Sequence, residues 1–566
     1  MHYTELLKAR EDLTGPGGTF EIVRETVLGN DLLTFKNAPK SVREFWQMTA
    51  VFADRTYIIY EDDRISYAEA HAQVNATAAW LFDQGVRPGD RVAIAMRNYP
   101  EWMLIYWACT SIGVAVVGMN AWWTPEEMAY GLRDAAPKIV FGDAERIERV
   151  KGLSEFADTL TLVGVRLAEP ISGVISYSEV ISHPGTMPEV DVDPDSDACI
   201  FYTSGTTGFP KGAQLTHRGC VANLMNMLFA AACSAQAMHQ ATGIAPPEEP
   251  PIPVTLLTTP LFHVTANNCG AYAATAAGGT IVLMYRWDAG EALKIIERER
   301  VSAMGGVPVM GRELINHPDF ATTDTSSLLA ISGGGAQVPP DLVQGIEDAV
   351  ETARPATGYG MTETCGIITS LSGDFFVDKP DSAGPYMPNF EAKCVTDDGQ
   401  EVAQGELGEL WVRGSSVIKG YINRPEATAE SITDGWLHTG DIARIDEHGF
   451  IYIVDRKKDM VLRGGENVYC AEVEATLYRH TAIAECCVFG VPDDRLGEEV
   501  AAAIVLKPGE AMSEADLKAH CTQHMAKHKH PRHVWFLDDP LPRNASGKFL
   551  KRSIRDELWA EEAVTS

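Results

Sequence analysis

A chain of 566 residues, 45% hydrophobic and 22% charged, has the composition of a globular protein of at least two domains with a large core. Its 78 acidic residues against 47 basic ones leave a net charge of −31, which excludes broad binding to nucleic acid or anionic membrane and confines any basic ligand site to a local patch. Eleven cysteines, odd in number and without a Cys-x-x-Cys pair, fit free thiols in a reducing cytoplasm and offer no zinc site.

No charged segment followed by an apolar run opens the chain at Met1–Lys8, so no secretory signal is expected. Tyr57–Tyr60 and Arg64–Tyr67 read as a hairpin, Ala68–Gln84 as an amphipathic helix, Arg91–Met96 as a strand, Pro100–Ile112 as a helix and Val114–Met119 as a strand. The longest apolar window, Leu104–Trp123, is broken by Thr110, Ser111 and Asn120 and reads as a buried helix entering a buried strand, not as a membrane span. With Lys138–Phe141 and Thr161–Val165 the alternation continues, which predicts an α/β fold with parallel-rich sheets covered by helices.

The strand-like Ala198–Phe201 runs into Tyr202-Thr203-Ser204-Gly205-Thr206-Thr207-Gly208-Phe209-Pro210-Lys211-Gly212. Glycines admit close approach of main-chain N–H groups to an oxyanion, hydroxyls add donors and Lys211 adds charge, so the segment has the makings of a phosphate cradle. It is not a Walker A loop, because Pro210 precedes the lysine and Gly212 follows it. Arg218–Met238 reads as a helix, and the prolines of 244–253 exclude regular structure there. Leu256–His263 is expected to be a strand ending in a turn. Leu329–Ala336 places Gly333, Gly334, Gly335 and Ala336 at a strand end, where bare backbone can lie against a flat ring.

In Gly358-Tyr359-Gly360-Met361-Thr362-Glu363, Tyr359 supplies a π-face for a purine, Thr362 a hydroxyl for a phosphate and Glu363 a hard oxygen ligand for Mg²⁺. Asp441, after Gly440, can accept both hydroxyls of a ribose. Asp455–Asp459, five charged residues in a row, reads as a solvated linker. Beyond it a smaller α/β unit is expected, with a turn at Arg463–Tyr469, helices at Ala471–Arg479 and Ala511–His524, and strands at Ala482–Val491 and Glu499–Leu506. Taken alone, a lone His263 beside apolar residues is more often a packing residue, and a lysine such as Lys548 in a Gly/Ser loop is more often solvated and idle.

The run 202–212, Pro260-Leu261-Phe262-His263, the 358–363 motif, Gly435–Asp441 and Pro542–Lys548 together resemble the adenylate-forming enzymes: acyl-CoA synthetases, luciferases and peptide-synthetase adenylation domains. The resemblance spans 41–554 with its motifs in family order. It implies a large domain, 1–457, carrying ATP and the acid, and a small mobile α+β domain, 458–566, turning about a hinge at 455–459 with Lys458 as pivot.

It further implies an ATP-dependent acid–CoA ligase that makes an acyl-AMP and then a thioester. Thr203, Ser204, Gly205, Thr206, Thr207, Gly208 and Lys211 would hold ATP phosphates, and Glu363 and Thr206 would hold Mg²⁺. Gly333–Ala336 and Gly358–Met361 would line the adenine and acyl sites. Asp441 and Arg456 would sit at the ribose, His263 at the carboxylate pocket, and Thr362 and Lys548 at the α-phosphate, Lys548 being the catalytic lysine.

Arg463, Gly464 and Gly465 would flank a pantetheine tunnel. Leu462 stands where some relatives have a CoA-contacting lysine, so that contact is not expected, and Asn544 stands where Thr is commoner. The small and apolar stretches His263–Gly270, Ala303–Met310 and Cys365–Ile368 favour a fatty, aryl or other hydrophobic acid, and Phe262–Asn267 lacks the aspartate that pairs an amino-acid ammonium. The expected setting is cytoplasmic, with small-molecule substrates, no nucleic acid and no transmembrane segment; oligomeric state stays open, a homodimer included. Two further readings are an adenylating enzyme that delivers to a carrier-protein thiol or an amine, and a non-catalytic nucleotide-binding protein, which the presence of Lys548 and Glu363 disfavours.

Overall fold

The computed structural model describes residues 3–565 apart from 204–209, 246, 248–250, 337, 465 and 545–546, with side chains through residue 560. Two parallel-rich sheets carry most of the chain. A seven-stranded sheet runs Lys211–Thr216, Asp197–Thr203, Ala115–Gly118, Arg91–Ala95, Ile139–Asp143, Thr161–Val165, Ile175–Ser176, parallel except where the first two strands pair. An eight-stranded sheet runs Gly366–Ser372, Arg354–Met361, Ala330–Gly334, Ala303–Gly306, Val254–Leu257, Thr280–Leu283, Thr56–Tyr60, Asp63–Ser66, with antiparallel pairs only at its two edges.

The helix Pro100–Ser111 is buried at every position but Glu101 and touches strands of both sheets. Having no polar face, it can only be interior. Trp107 stacks on Trp46 at 5.2 Å and donates Nε1–H to the Tyr57 hydroxyl at 2.8 Å. Among the described residues one helix, His217–Thr242, is long and apolar enough to cross a membrane, and more than half of its most apolar stretch is packed inside the fold.

Several expectations shift by physical causes that can be named. Ser66 accepts the Glu69 N–H at 3.2 Å while the Glu69 carboxylate accepts the Ser66 N–H at 2.8 Å, so Tyr67 opens the helix Tyr67–Asp83 instead of ending a strand. The strand expected over Leu256–His263 stops at Leu257; Pro260 has no N–H to donate, and Thr265–Ala271 winds as a π-helix.

A further antiparallel sheet runs Gly384–Pro385, Phe450–Arg456, Trp436–Ile445, Gly408–Gly414, Phe390–Val395, of which the sequence marks only the strand Phe450–Val454. In Trp436–Ile445, Leu437, Thr439, Asp441 and Ala443 are buried alternately, the period of a half-buried strand. The solvated-linker reading of Asp455–Asp459 is corrected: Asp455 is 7% exposed, accepts the main-chain N–H groups of Arg456 and Cys470, and Arg456 still belongs to the strand. Only Arg456, Lys457 and Lys458 are exposed.

After Lys458 the chain forms its own five-stranded sheet, Glu466–Val468, Val461–Arg463, Gly497–Leu506, Ile483–Asp493, with His533–Leu537 parallel to Gly497–Leu506. Helices Cys470–Leu477 and Glu514–His524 bury one face and Lys551–Thr565 the other. Lys551 is locked to Glu474 at 2.7 Å, tying the last helix to the first.

Candidate active site

Parallel strands of both large sheets end toward one cleft in glycine and hydroxyl residues, which stay in the ladder but leave its backbone uncovered by large side chains. Thr203 closes one strand and pairs in register with Lys211. Ser204, Gly205, Thr206, Thr207 and Gly208, expected to cradle phosphate, lie outside the described residues. Lys211 Nζ stands 5.0 Å over the ring of Tyr421.

Gly334 and Gly358 are register partners on neighbouring strands. A Cβ on Gly334 would meet nothing closer than Gly358 O at 3.6 Å, so this part of the floor is bare backbone with room above it. Gly333 and Gly360 differ: a Cβ there would collide with Val338 at 2.4 Å and with Gly366 O at 2.0 Å, so both glycines are fixed by packing. Gly335 has φ of +75°, and Ala336 beside it is exposed.

The strand Arg354–Met361 turns at Thr362–Thr364, tied by the Met361 N–H to Thr364 Oγ1 at 3.1 Å. This turn buries Glu363 to 8% exposure, and Glu363 Oε1 accepts the Tyr421 hydroxyl at 2.7 Å. Among the described residues no hydrogen bond is recorded to Oε2. A buried carboxylate with one oxygen spoken for suits a single-oxygen Mg²⁺ ligand. Among those residues there is no cluster of three or more metal-binding side chains.

Asp441, 3% exposed, faces Arg456 across two antiparallel strands. Its Oδ2 accepts the Tyr359 hydroxyl at 2.5 Å and its Oδ1 lies 2.9 Å from Arg456 Nε. Burial and then the Asp441 charge push the Tyr359 hydroxyl pKa well up, so it remains a donor.

The small domain reaches this cleft through Lys548. Asn544 shapes its loop, accepting the Lys548 N–H on Oδ1 at 3.0 Å and donating its own N–H to Lys548 O at 2.8 Å. A Cβ on Gly335 would stand 3.4 Å from Lys548 Cε, and one on Gly547 2.7 Å from Val307, so the loop is seated on the large domain. Burial, then Arg456, holds the Lys548 ammonium below its usual range; Asp441 and Glu363 oppose this and Lys458 adds to it. All of these groups therefore share one electrostatic neighbourhood. Lys458 is likewise lowered, by desolvation and then by Arg456.

His263 borders the same space: burial first and Lys548 second depress its pKa to about 4, and Nε2 is shut from solvent and has no hydrogen-bond partner among the described residues. At neutral pH it is an uncharged imidazole.

Arg463 and Gly464 are not brought to the cleft. Arg463 is paired with Glu499 and the Gly464 N–H donates to Leu496 O at 2.7 Å, both within the small sheet; Gly465 lies outside the described residues. A cavity of about 220 Å³ opens between the domains beside Phe262, lined by Arg97, Trp122, Tyr285, Met310 and Asn544 among others. The Arg97 guanidinium lies 3.7 Å from the Trp122 ring centroid, and among the described residues its Nε and Nη1 have no hydrogen-bond partner. Sequence reasoning missed this cavity and Tyr421; both are assembled from segments far apart in the chain, and no local pattern marks them.

Parallel sheets ending at a glycine-walled cleft, with a small domain inserting a lysine, are the architecture of an adenylate-forming enzyme. The AMP-binding enzyme family matches residues 45–422 and the AMP-binding enzyme C-terminal domain matches 472–548. The chain belongs to this family. It is 36% identical to a feruloyl-CoA synthase from Amycolatopsis sp over 87% of this chain and 93% of the relative. An o-succinylbenzoate CoA synthetase from Bacillus subtilis, solved with ATP and magnesium ion, superposes with a TM-score of 0.73 at 31% identity, covering 90% of this chain and 99% of the other. An anthranilate CoA ligase solved with anthranoyl-AMP gives 0.82 at 26% identity, covering 92% and 98%.

Proposed function

We propose that the protein is an AMP-forming acid–CoA ligase acting on an aromatic or other hydrophobic carboxylic acid, with domains 1–457 and 458–566 about a hinge at 455–459. The observation that carries this reading is the position of Lys548, from a loop late in the chain, against Gly335 and within the field of Arg456, Asp441 and Glu363.

A carboxylate is a poor electrophile, and transfer to AMP makes it a good one. In the first half-reaction an acid oxygen attacks the α-phosphorus of ATP in line, a P–O bond forms, and pyrophosphate leaves with the electron pair of the broken bond. Lys548 and Thr362 neutralise charge growing on the α-phosphoryl oxygens, and Lys548 also steers the incoming carboxylate. Asp441 takes the ribose hydroxyls, with Arg456 and Tyr359 holding it; the Tyr359 ring and the Gly333–Ala336 backbone flank the base. Thr203 and Lys211, with the 204–208 loop, hold the outer phosphates. Mg²⁺, when bound through Glu363 and Thr206, supplies positive charge to the phosphate oxygens. The neutral His263 closes the carboxylate pocket without adding a competing cation.

In the second half-reaction the CoA thiolate attacks the acyl carbon and AMP departs. Lys548 now occupies the cleft and Asn544 lines the interdomain cavity, so the small domain turns about Lys458 to clear a route. That turn would present Arg463, Gly464 and Gly465 to the pantetheine arm. The cavity beside Phe262, lined by Arg97 and Trp122, is the candidate route.

The small and apolar stretches His263–Gly270, Ala303–Met310 and Cys365–Ile368 are the candidate lining of the acyl pocket. Named relatives act on feruloyl, anthranilate and o-succinylbenzoate groups, which supports an aryl acid. The setting is cytoplasmic, and a homodimer is compatible with it. A panel of aryl and aliphatic acids assayed for AMP release tests this: release should need both acid and CoA. Acyl-AMP that forms but never turns over with free CoA would transfer the assignment to a carrier-protein or amine acceptor.

A further inference from the structure

We infer that Tyr421 is a positioning residue for adenylate formation, fixing the Glu363 carboxylate and the Lys211 ammonium relative to one another across the nucleotide cleft. The inference rests on the ligase reading above.

Tyr421 is 8% exposed and touches both groups at once. Its hydroxyl donates to Glu363 Oε1 at 2.7 Å, and its ring face lies 5.0 Å beneath Lys211 Nζ. Its segment is laced to both neighbours by main-chain bonds. The Ile418 N–H donates to Glu363 O at 2.9 Å, the Gln214 N–H to Gly420 O at 2.9 Å, the Lys419 N–H to Gln214 O at 3.1 Å and the Ile422 N–H to Gly212 O at 2.9 Å. The Tyr421 N–H is itself held by Thr428 Oγ1 at 2.9 Å. Residues 418–422 thus form a strap between the Glu363 turn and the strand that begins at Lys211.

The side-chain chemistry suits this place. A hydroxyl that donates to one carboxylate oxygen leaves the negative charge intact and aims the second oxygen at the cleft. A lysine there would cancel the charge that a divalent cation needs. Among the described residues no ion pair joins Lys211 to Glu363. Lys211 rests instead on a π-face, an attachment weak enough for a triphosphate to displace.

Tyr421→Phe removes the hydroxyl and keeps the ring, whereas Tyr421→Leu removes both. With Mn²⁺ as the probe, EPR titration of the full chain with a non-hydrolysable ATP analogue should show affinity for the metal lowered about tenfold in Tyr421→Phe, the scale of a lost bond to a charged group. Excess Mg²⁺ should restore its kcat. Tyr421→Leu should in addition bind the metal-free analogue more weakly, with a kcat that excess Mg²⁺ does not rescue. Unchanged Mn²⁺ affinity in a folded Tyr421→Phe overturns the inference, as does identical behaviour of the two variants. Should the leucine variant not fold, the phenylalanine variant alone decides. A parent enzyme that makes no acyl-adenylate overturns the ligase reading instead, and this inference with it.

Discussion

The Tyr359 hydroxyl and the Asp441 carboxylate are joined at 2.5 Å across two sheets, with Arg456 closing on the other carboxylate oxygen. The acid is therefore aimed before any nucleotide arrives.

Removing that acid should cost ATP binding. Asp441→Ala leaves Arg456 and the Tyr359 hydroxyl without their partner and deletes the acceptor for ribose hydroxyls. Calorimetry should show ATP affinity reduced about tenfold to a hundredfold, the range of charge-assisted hydrogen bonds lost from a buried site. Unchanged affinity would remove Asp441 from the ribose site.

Gly335 combines a left-handed φ of +75° with a Cβ position only 3.4 Å from Lys548 Cε. Gly335→Ala should therefore lower stability by about 1 kcal/mol through backbone strain, and lower the adenylation rate by moving the strained backbone on which Lys548 rests. Rapid-quench measurement of acyl-AMP formation, alongside a denaturant melt, separates the two effects.

Acid should destabilise the fold through its buried histidines. His217, its Nδ1 facing the Val42 N–H at 3.3 Å, has its pKa depressed by burial to about 3, and His263 to about 4, from an ordinary 6.5. Between those values and 6.5 the unfolded chain binds protons that the folded chain refuses. Stability therefore rises with pH through this window and is fully present above it. In His217→Asn the slope of unfolding free energy between about pH 4.5 and 6 should fall by roughly one proton, about 1.4 kcal/mol per pH unit. An unaltered slope would contradict the neutral, buried state of His217.

Much of this was legible in the sequence where local chemistry decides structure. The glycine and hydroxyl runs after Phe201 and Ile331 announce strand ends at a ligand cleft, and the Pro100–Ser111 helix can only be interior. What escaped depends on partners distant in the chain. Asp455 reads as solvated because four charges follow it, yet the Cys470 N–H draws it inward. Tyr421 is unremarkable by pattern and matters only because the strap pairing with Gly212 and Gln214 sets it between Glu363 and Lys211. Arg463 and Gly464 could be identified by motif, but a motif does not say which orientation of the small domain presents them.

The most direct test is Lys548→Ala assayed in two ways on one preparation: ATP–pyrophosphate exchange with acid, and thioester formation from synthetic acyl-adenylate and CoA. Exchange should fall about a thousandfold, the scale of losing a preorganised charge at the reacting phosphoryl group, while conversion of supplied adenylate persists within a few-fold. Equal loss of both activities, or of neither, would contradict the placement of Lys548 at the α-phosphate.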